Sequence, residues 1–416
     1  RTNGKLVKSV GISSALLDPE KDAVAVDFRR FQSERMADAV TFLARTVKDE
    51  LRSRGRTKVC GVFYGYMCHA ANSLSLFSSG HHDQATVLDC PDVDFLAAPI
   101  DYTARQPGGA SFAQLLPSSV ALHGKLYYAE EDTRFHLCRG RRECVSGDEK
   151  TTKELIWRNF TDAWAHGGTV WWMDLMGEGW YRDPFFTKTI AACRQHAERT
   201  LQDRAGKARI AVFASEGSLA LERIAPTMAS AELVGMMMPE IDALGEPYDV
   251  YRLEDVPLMA EKGVLGRYRA VIVLNAHLVG AELRTTLRRT LLCDGRTVLF
   301  LGWPGYSDGK TGSAANVADL TGISVRELPV CQANIIRTEV DGRRTTFGAA
   351  RRSDPALVID DENATPLGWF VQGQGRCHPD GPHGVAIAAR NLGGWRSVLA
   401  CTTWLPSEVI RRLLNP

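Results

Sequence analysis

Several features are scarce in these 416 residues, and each absence closes a class of function. Net charge is nearly nil: fifty Lys and Arg stand against forty-nine Asp and Glu, a formal charge of +1. Composition therefore leaves no electrostatic footprint for nucleic acid or an anionic membrane. Long apolar runs are missing. The longest, such as Ala270 to Leu274 and Thr297 to Leu301, are strand-sized, far short of the roughly 20 residues that span a bilayer. The ten cysteines form no CxxC pair and mostly lie in apolar segments, which argues against a zinc ribbon or a disulfide scaffold. No GxGxxG fingerprint and no GxxxxGK(S/T) loop is present, so nucleotide binding has no motif to rest on. The sequence starts at Arg1 without a signal-like stretch, which favours cytoplasm over secretion and leaves the compartment open.

What is present is an ordinary globular composition, 44% hydrophobic and 24% charged, long enough for two or three domains. Over residues 1–205, strand-like runs at 58–64, 92–99, 124–130 and 168–174 alternate with helical stretches. This is the βα rhythm of a parallel sheet. The stretch from Ser33 to Arg54 places Met36, Val40, Phe42, Leu43, Val47 and Leu51 near helical spacing, as Thr152 to Ala165 does for Leu155, Ile156, Phe160 and Trp164. A complete (β/α)8 barrel takes about 250 residues. Four βα units in roughly 205 residues are half of one, and Arg1 to Asp27 reads as loop.

A second rhythm runs from 206 to 330. Strand-like segments at 209–214, 248–253, 268–274 and 297–302 alternate with helices, which predicts a doubly wound domain. Met236, Met237 and Met238 read as a helix face that packs or oligomerises. From 331 to 416 the pattern turns mostly β, with a hairpin signal at Asp341–Gly342 and a short helix from Pro406 to Leu414. The run from Cys377 through His378 and Asp380 to His383 is rich in Pro and Gly and reads as a turn. His81 and His82 beside Asp83 read as a capped helix start in preference to a metal site.

The richest chemistry follows the strand 124–130, where an apolar and aromatic run turns abruptly into Glu130, Glu131, Asp132 and Arg134. Taken alone, these residues read most simply as a solvated acidic turn. Their neighbours change the reading, because all four strands end in groups suited to a sugar: Phe63, Tyr64, Gly65 and Tyr66; Asp101, Tyr102 and Arg105; Glu130, Asp132 and Arg134; Trp171, Trp172 and Asp174, with Trp180 close behind. Carboxylates, aromatic platforms and hydrogen-bonding groups at the C-terminal strand ends are what a carbohydrate-active barrel needs.

The segments VDFRRFQSERMADAV, GVFYGY, DVDFLAAPIDYTARQPGG, HGKLYYAEEDTRFHL and WWMDLMGEGWY, followed by a doubly wound domain, resemble the C-terminal two-thirds of glycoside hydrolases of the family 42 β-galactosidase type and their uncharacterised relatives. The resemblance covers most of residues 20–330. It implies an α/β fold: the second half of a (β/α)8 barrel (strands 5–8) over 1–205, a flavodoxin- or amidotransferase-like trimerisation domain over 206–330, and an incomplete β-rich region over 331–416. It also implies a retaining hydrolase of β-galactoside-like bonds, with a carbohydrate substrate, no cofactor, no metal, no nucleic acid or membrane partner, and a homo-oligomer, trimeric by the family pattern.

In that family the nucleophile ends the seventh strand, and Glu130 is the matching position. Alternation favours it over Glu131, since Leu126, Tyr128 and Glu130 share one side of the strand. By the same resemblance Trp172 or Trp180 stacks on the sugar, and Tyr64 and Tyr102 contact hydroxyls or orient the nucleophile. Arg105, Asp132 and Arg134 hold the carboxylate network, with Asp174 at the last strand end. The partner acid/base ends the fourth strand and is expected to lie outside this chain, because residues 1–26 offer only Asp18, Glu20 and Asp22 in a polar loop. The rival reading is a non-catalytic carbohydrate-binding or assembly protein. Amidotransfer, a third chemistry, lacks its cysteine: the candidate turn at 274–278 is LeuAsnAlaHisLeu.

Overall fold

The computed structural model describes residues 15–68, 79–138, 144–203, 208–223, 229–328, 332–353, 355–371 and 384–414. The run from Cys377 to His383 lies outside them. Two compact units are formed, one from Arg1–Ser33, Ser73–His82 and Ala208–Pro416, the other from Glu34–Asn72 and Asp83–Lys207. Helix α1 (Ala23–Ser53) begins in the first and ends in the second.

In the second unit, β1 (Gly61–Phe63), β2 (Phe95–Pro99), β3 (Leu126–Glu131) and β4 (Thr169–Trp172) form a sheet in sequence order, every pair parallel. These are the four strands expected from the apolar runs. Each connection carries a helix: α2 (Gln84–Leu88) precedes β2, α3 (Pro117–Leu122) precedes β3, α4 (Glu149–Ala165) precedes β4, and α5 (Pro184–Thr200) follows it. Two helix ends share one device. After α3 and after α4 a His-Gly pair stops the helix, with Gly124 and Gly167 at φ 73° and 80°, where a side chain would be strained. The carboxylates of Asp148 and Asp183 cap the starts of α4 and α5 by accepting the backbone N–H groups of Thr151 and Phe185, each at 2.8 Å.

One face of this sheet is covered. Tyr64, Leu96, Ala98, Tyr127 and Ala129 pack with Ala37 and Ala44 of α1, Val87, Val120 and Ala163 into a buried core. The opposite face carries Phe63, Phe95, Leu126, Tyr128 and Trp171, and Phe63 and Leu126 are exposed. Its rings touch in a row, Phe95 to Tyr128 at 5.4 Å and Phe63 to Trp171 at 5.8 Å. Gly61 keeps this row in place, because a Cβ there would lie 2.1 Å from the Phe95 ring. Gly61→Ala is expected to cost about 1–3 kcal/mol by overpacking and to weaken the near-ultraviolet circular dichroism of the aromatic row; unchanged urea midpoint and spectrum would refute this.

The side of α1 that packs differs from the sequence expectation. Phe42, Leu43 and Val47, expected on the core face, are exposed, and Ala37, Thr41 and Ala44 are buried instead. Small residues at this spacing let the helix backbone approach the sheet closely.

The first unit is built on β5 (Ile210–Ala214), with β6 (Tyr248–Arg252) on one side and β7 (Ala270–Val273) on the other, then β8 (Thr297–Leu301), all parallel. That is a doubly wound arrangement with its switch point at β5. Among the alternating helices, α6 (Met237–Asp242) continues a π-helical turn over Ala231–Met236. Met237 and Met238 are buried and Met236 is exposed, so the methionine run packs on two of its three members. Residues 331–416 do not form a sheet of their own. After β9 (Val325–Leu328), the strands β10 (Gln332–Val340), β11 (Arg343–Ser353), β13 (Thr365–Phe370), β14 (Val385–Asn391) and β15 (Arg396–Ala400) run antiparallel, β12 (Ala356–Ile359) pairs antiparallel with β9 and β14, and β15 pairs in parallel with β8. The Asp341–Gly342 hairpin forms with both residues left-handed, at φ 52° and 68°.

At the carboxyl ends of β5 and β7 a buried polar network occupies the candidate turn at 274–278. Asn275 accepts the Ser215 N–H at 2.7 Å and donates to Ser230 Oγ at 2.7 Å. Glu222 accepts the Ser230 backbone N–H at 2.8 Å, the Ser230 hydroxyl, and His277 Nε2 at 3.0 Å. Glu222, Ser230, Asn275 and His277 are all fully buried. The same Glu222 bridges Leu16 through its backbone, and Leu17, Val26 and Leu221 form a small apolar cluster there. Within the segment read as loop, Leu16 thus makes an isolated antiparallel bridge to Glu222.

Candidate active site

The carboxyl ends of β1–β4 bring together one set of the expected residues and separate another. Register places Pro99 beside Glu130 and Glu130 beside Trp171, so these three share the open face. Glu131 points to the covered face and is fully buried there. It accepts the Thr133 N–H at 2.9 Å and the Asn159 side-chain amide at 2.6 Å. Burial pushes its carboxyl pKa up, against the pull of Arg105 and these donors.

Beside Glu130, Arg105 Nη2 pairs with Asp132 Oδ1 at 2.6 Å, both side chains buried. The guanidinium lies 4.3 Å over the Tyr102 ring, whose hydroxyl donates to Asp132 Oδ2 at 3.4 Å. Burial, then Asp132, push the Tyr102 phenol up to about 12. Five carboxylates end these strands, and four are engaged: Asp101 by Thr103, Glu131 by Thr133 and Asn159, Asp132 by Arg105, Asp174 by Gly179. The side chain of Glu130, alone of the five, has neither a hydrogen bond nor an ion pair among the described residues. Its pKa is raised, first by burial and then by Asp132, with Arg105 opposing.

Other expected site residues sit elsewhere. Tyr64 is wholly buried in the helix-side core, one position past Phe63 and therefore on the other face. Trp172 alternates away from Glu130 and packs against the cluster of Phe135, Phe160 and Phe186, and Trp180 is itself buried in that cluster. Asp174 organises the turn before Trp180. Burial raises its pKa, but the Trp180 indole and the N–H groups of Gly179, Glu178 and Gly177 outweigh it and hold the carboxyl below its usual range. The Arg134 guanidinium acts on the Cys144 thiol, which burial pushes up to about 11.

Two aromatic residues take the places that Tyr64 and Trp172 leave. Trp171 stacks on Tyr128, 6.2 Å between ring centroids, on the Glu130 face. Tyr66 faces Glu130 closely enough for its charge, after burial, to push the phenol well up. Strict two-residue alternation, counted back from Glu130 through its strand partners, is the signal that finds Trp171.

The histidines near α2 have a simpler part. The Asp83 carboxylate caps the helix, accepting the Thr86 hydroxyl at 2.8 Å. No cluster of three His, Cys, Asp or Glu side chains suited to a metal ion occurs among the described residues. Burial, then His82, depress the His81 pKa to about 4. A histidine held neutral in the fold contributes stability that is complete above its unfolded value near 6.5 and is lost as pH falls towards 4. Urea midpoints of the chain are expected to decline over that window, and His81→Leu to flatten the decline; an equal slope in both proteins would refute the assignment.

No family model matches this chain, nor does any curated protein. Solved structures do. The β-galactosidase from Rahnella sp. R3 aligns with a TM-score of 0.57 at 12% identity over 90% of this chain and 55% of its own. That from Marinomonas ef1 gives 0.55 at 12% over 93% and 59%. A catalytic mutant of a family 42 β-galactosidase from G. stearothermophilus gives 0.49 at 12% over 83% and 57%. This chain thus spans little more than half the length of the structures it matches. The likeness is one of fold: a glycoside hydrolase-like α/β chain, with a four-stranded parallel sheet in one unit and a large mixed sheet in the other.

Proposed function

We propose that this chain carries the nucleophile half of a retaining glycoside hydrolase acting on β-galactoside-like bonds, with Glu130 as the attacking carboxylate. The observation that carries this reading is the uncommitted state of Glu130 amid four engaged carboxylates, on the open face beside an aromatic residue. An unpaired carboxylate at a barrel-type strand end is free to bond to an anomeric carbon. Trp171 offers a flat apolar surface for the sugar, and Tyr66 and Tyr102 offer hydroxyls, held protonated by their raised pKa values.

A retaining mechanism also needs a general acid/base roughly 5–5.5 Å from the nucleophile. None of the other four strand-end carboxylates is uncommitted, so in this reading the acid/base is contributed from outside β1–β4. The doubly wound domain, by resemblance, serves assembly into a homo-oligomer, with three copies as the family pattern. The test is whether a glycosyl group is transferred to Glu130 from an activated galactoside. Sugar binding without transfer would favour the non-catalytic carbohydrate-binding reading.

A further inference from the structure

The titratable and charged groups facing Glu130 come from three strand ends: Asp132 on its own strand, Arg105 and Tyr102 beyond β2, and Tyr66 beyond β1. Arg105 is the cation among them, and its hydrogen bonds and ion pair go to other groups. Its Nε donates to the Asp101 carbonyl at 3.0 Å and its Nη2 to the Ile100 carbonyl at 2.6 Å. The remaining tie is to Asp132, and that tie is buried on both sides, 8% and 4% of each side chain being exposed. Tyr102 braces it by stacking under the guanidinium and donating to the far carboxylate oxygen. Arg158 holds the loop itself, donating to the carbonyls of Arg105 and Gln106, each at 3.0 Å.

A buried guanidinium left without a counter-charge is costly, so it favours a carboxylate partner. Two compete for this one. Glu130 and Asp132 are two residues apart at the end of β3, and both lie within the reach of Arg105's field.

We propose that Asp132 is a positioning residue for the nucleophile, acting through Arg105: it captures the guanidinium and so keeps Glu130 unpaired. Without Asp132, Arg105 swings to the next carboxylate and closes an ion pair with Glu130, which quenches its nucleophilicity and lowers its affinity for a proton. The functional meaning rests on Glu130 being the nucleophile, but the electrostatic device stands apart from that reading and can be measured apart from it.

The experiment uses the full chain carrying ¹³C-labelled glutamate, with the Glu130 carboxyl resonance identified by its loss in Glu130→Gln. In Asp132→Asn the Glu130 titration midpoint is expected to fall by at least about one pH unit, tenfold in proton affinity. A crystal structure of that variant is expected to show the Arg105 guanidinium within about 4 Å of the Glu130 carboxylate. Asp132→Glu restores the negative charge and is expected to restore the midpoint. Tyr102→Phe, at a half-exposed ring, removes only the hydroxyl brace and gives a smaller fall in the same direction. A guanidinium that stays in its present place, or a midpoint that moves by less than about 0.3 unit in both Asp132→Asn and Tyr102→Phe, overturns the proposal. Failure of glycosyl transfer to Glu130 would instead sink the glycosidase reading and leave these titrations as they are.

Discussion

Glu130→Gln is expected to abolish transfer of a galactosyl unit to this chain. A suitable donor is 2,4-dinitrophenyl 2-deoxy-2-fluoro-β-D-galactoside, because dinitrophenolate departs without being protonated. The first step then tests the nucleophile alone and does not depend on a general acid. As a Glu130 oxygen bonds to the anomeric carbon, the bond to dinitrophenolate breaks and its electron pair leaves with the phenolate. The fluorine slows hydrolysis of the product, so the glycosyl-protein accumulates. Mass spectrometry is expected to find one fluorogalactosyl group per chain, on the peptide containing Glu130.

The amide of Glu130→Gln is a far weaker nucleophile, and the labelling rate is expected to fall on the order of 10⁴-fold or more. Label on Glu131, or none in the parent chain, would refute the assignment. The pH dependence has a definite sign. Because burial and Asp132 raise the Glu130 pKa, the attacking carboxylate is depleted at acid pH, and labelling is expected to climb as pH rises through that elevated value.

The largest effect on stability is expected at the other unit, at Glu222. Its carboxylate is wholly buried and accepts three hydrogen bonds, two from Ser230 and one from His277. Glu222→Ala strands those donors without water, and removing one side of a buried pair costs about 3–5 kcal/mol. That is a large share of a typical domain stability of roughly 5–15 kcal/mol. Trp303 lies 5.6 Å from the His277 ring and is a local fluorescence reporter. Urea unfolding followed there is expected to show the full loss, and a change below about 0.5 kcal/mol would show the network to be dispensable. The two units need not unfold together, so the transition of this unit is to be read on its own.

The elements were more legible in the sequence than their faces. The four apolar runs at 58–64, 92–99, 124–130 and 168–174 coincide with β1–β4, because a buried parallel strand is a nearly continuous apolar run whatever surrounds it. The Asp341–Gly342 hairpin was equally visible, since its turn type demands those residues. The sides taken by Tyr64 and Trp172 are less legible, for a different reason. Alternation tells which residues share a side but not which side the helices cover, and Tyr64 and Trp172 lie on the covered one. On α1 the large apolar residues dominate the sequence pattern, whereas close packing selects Ala37 and Ala44. The joining of β15 to β8 is a pairing between residues far apart in sequence, and no local pattern announces it.

The bare side of the four-stranded sheet bears on how this polypeptide behaves in a tube. Both outer strands, β1 and β4, have a ladder neighbour on one side only among the described residues. Phe63 and Leu126 on the sheet, with Phe42, Leu43 and Val47 on α1, add exposed apolar side chains. Open strand edges beside such surface are templates for self-association. Self-association is therefore expected before unfolding: turbidity rises steeply with protein concentration and is suppressed by Phe42→Lys or Val47→Lys on the exposed side of the helix.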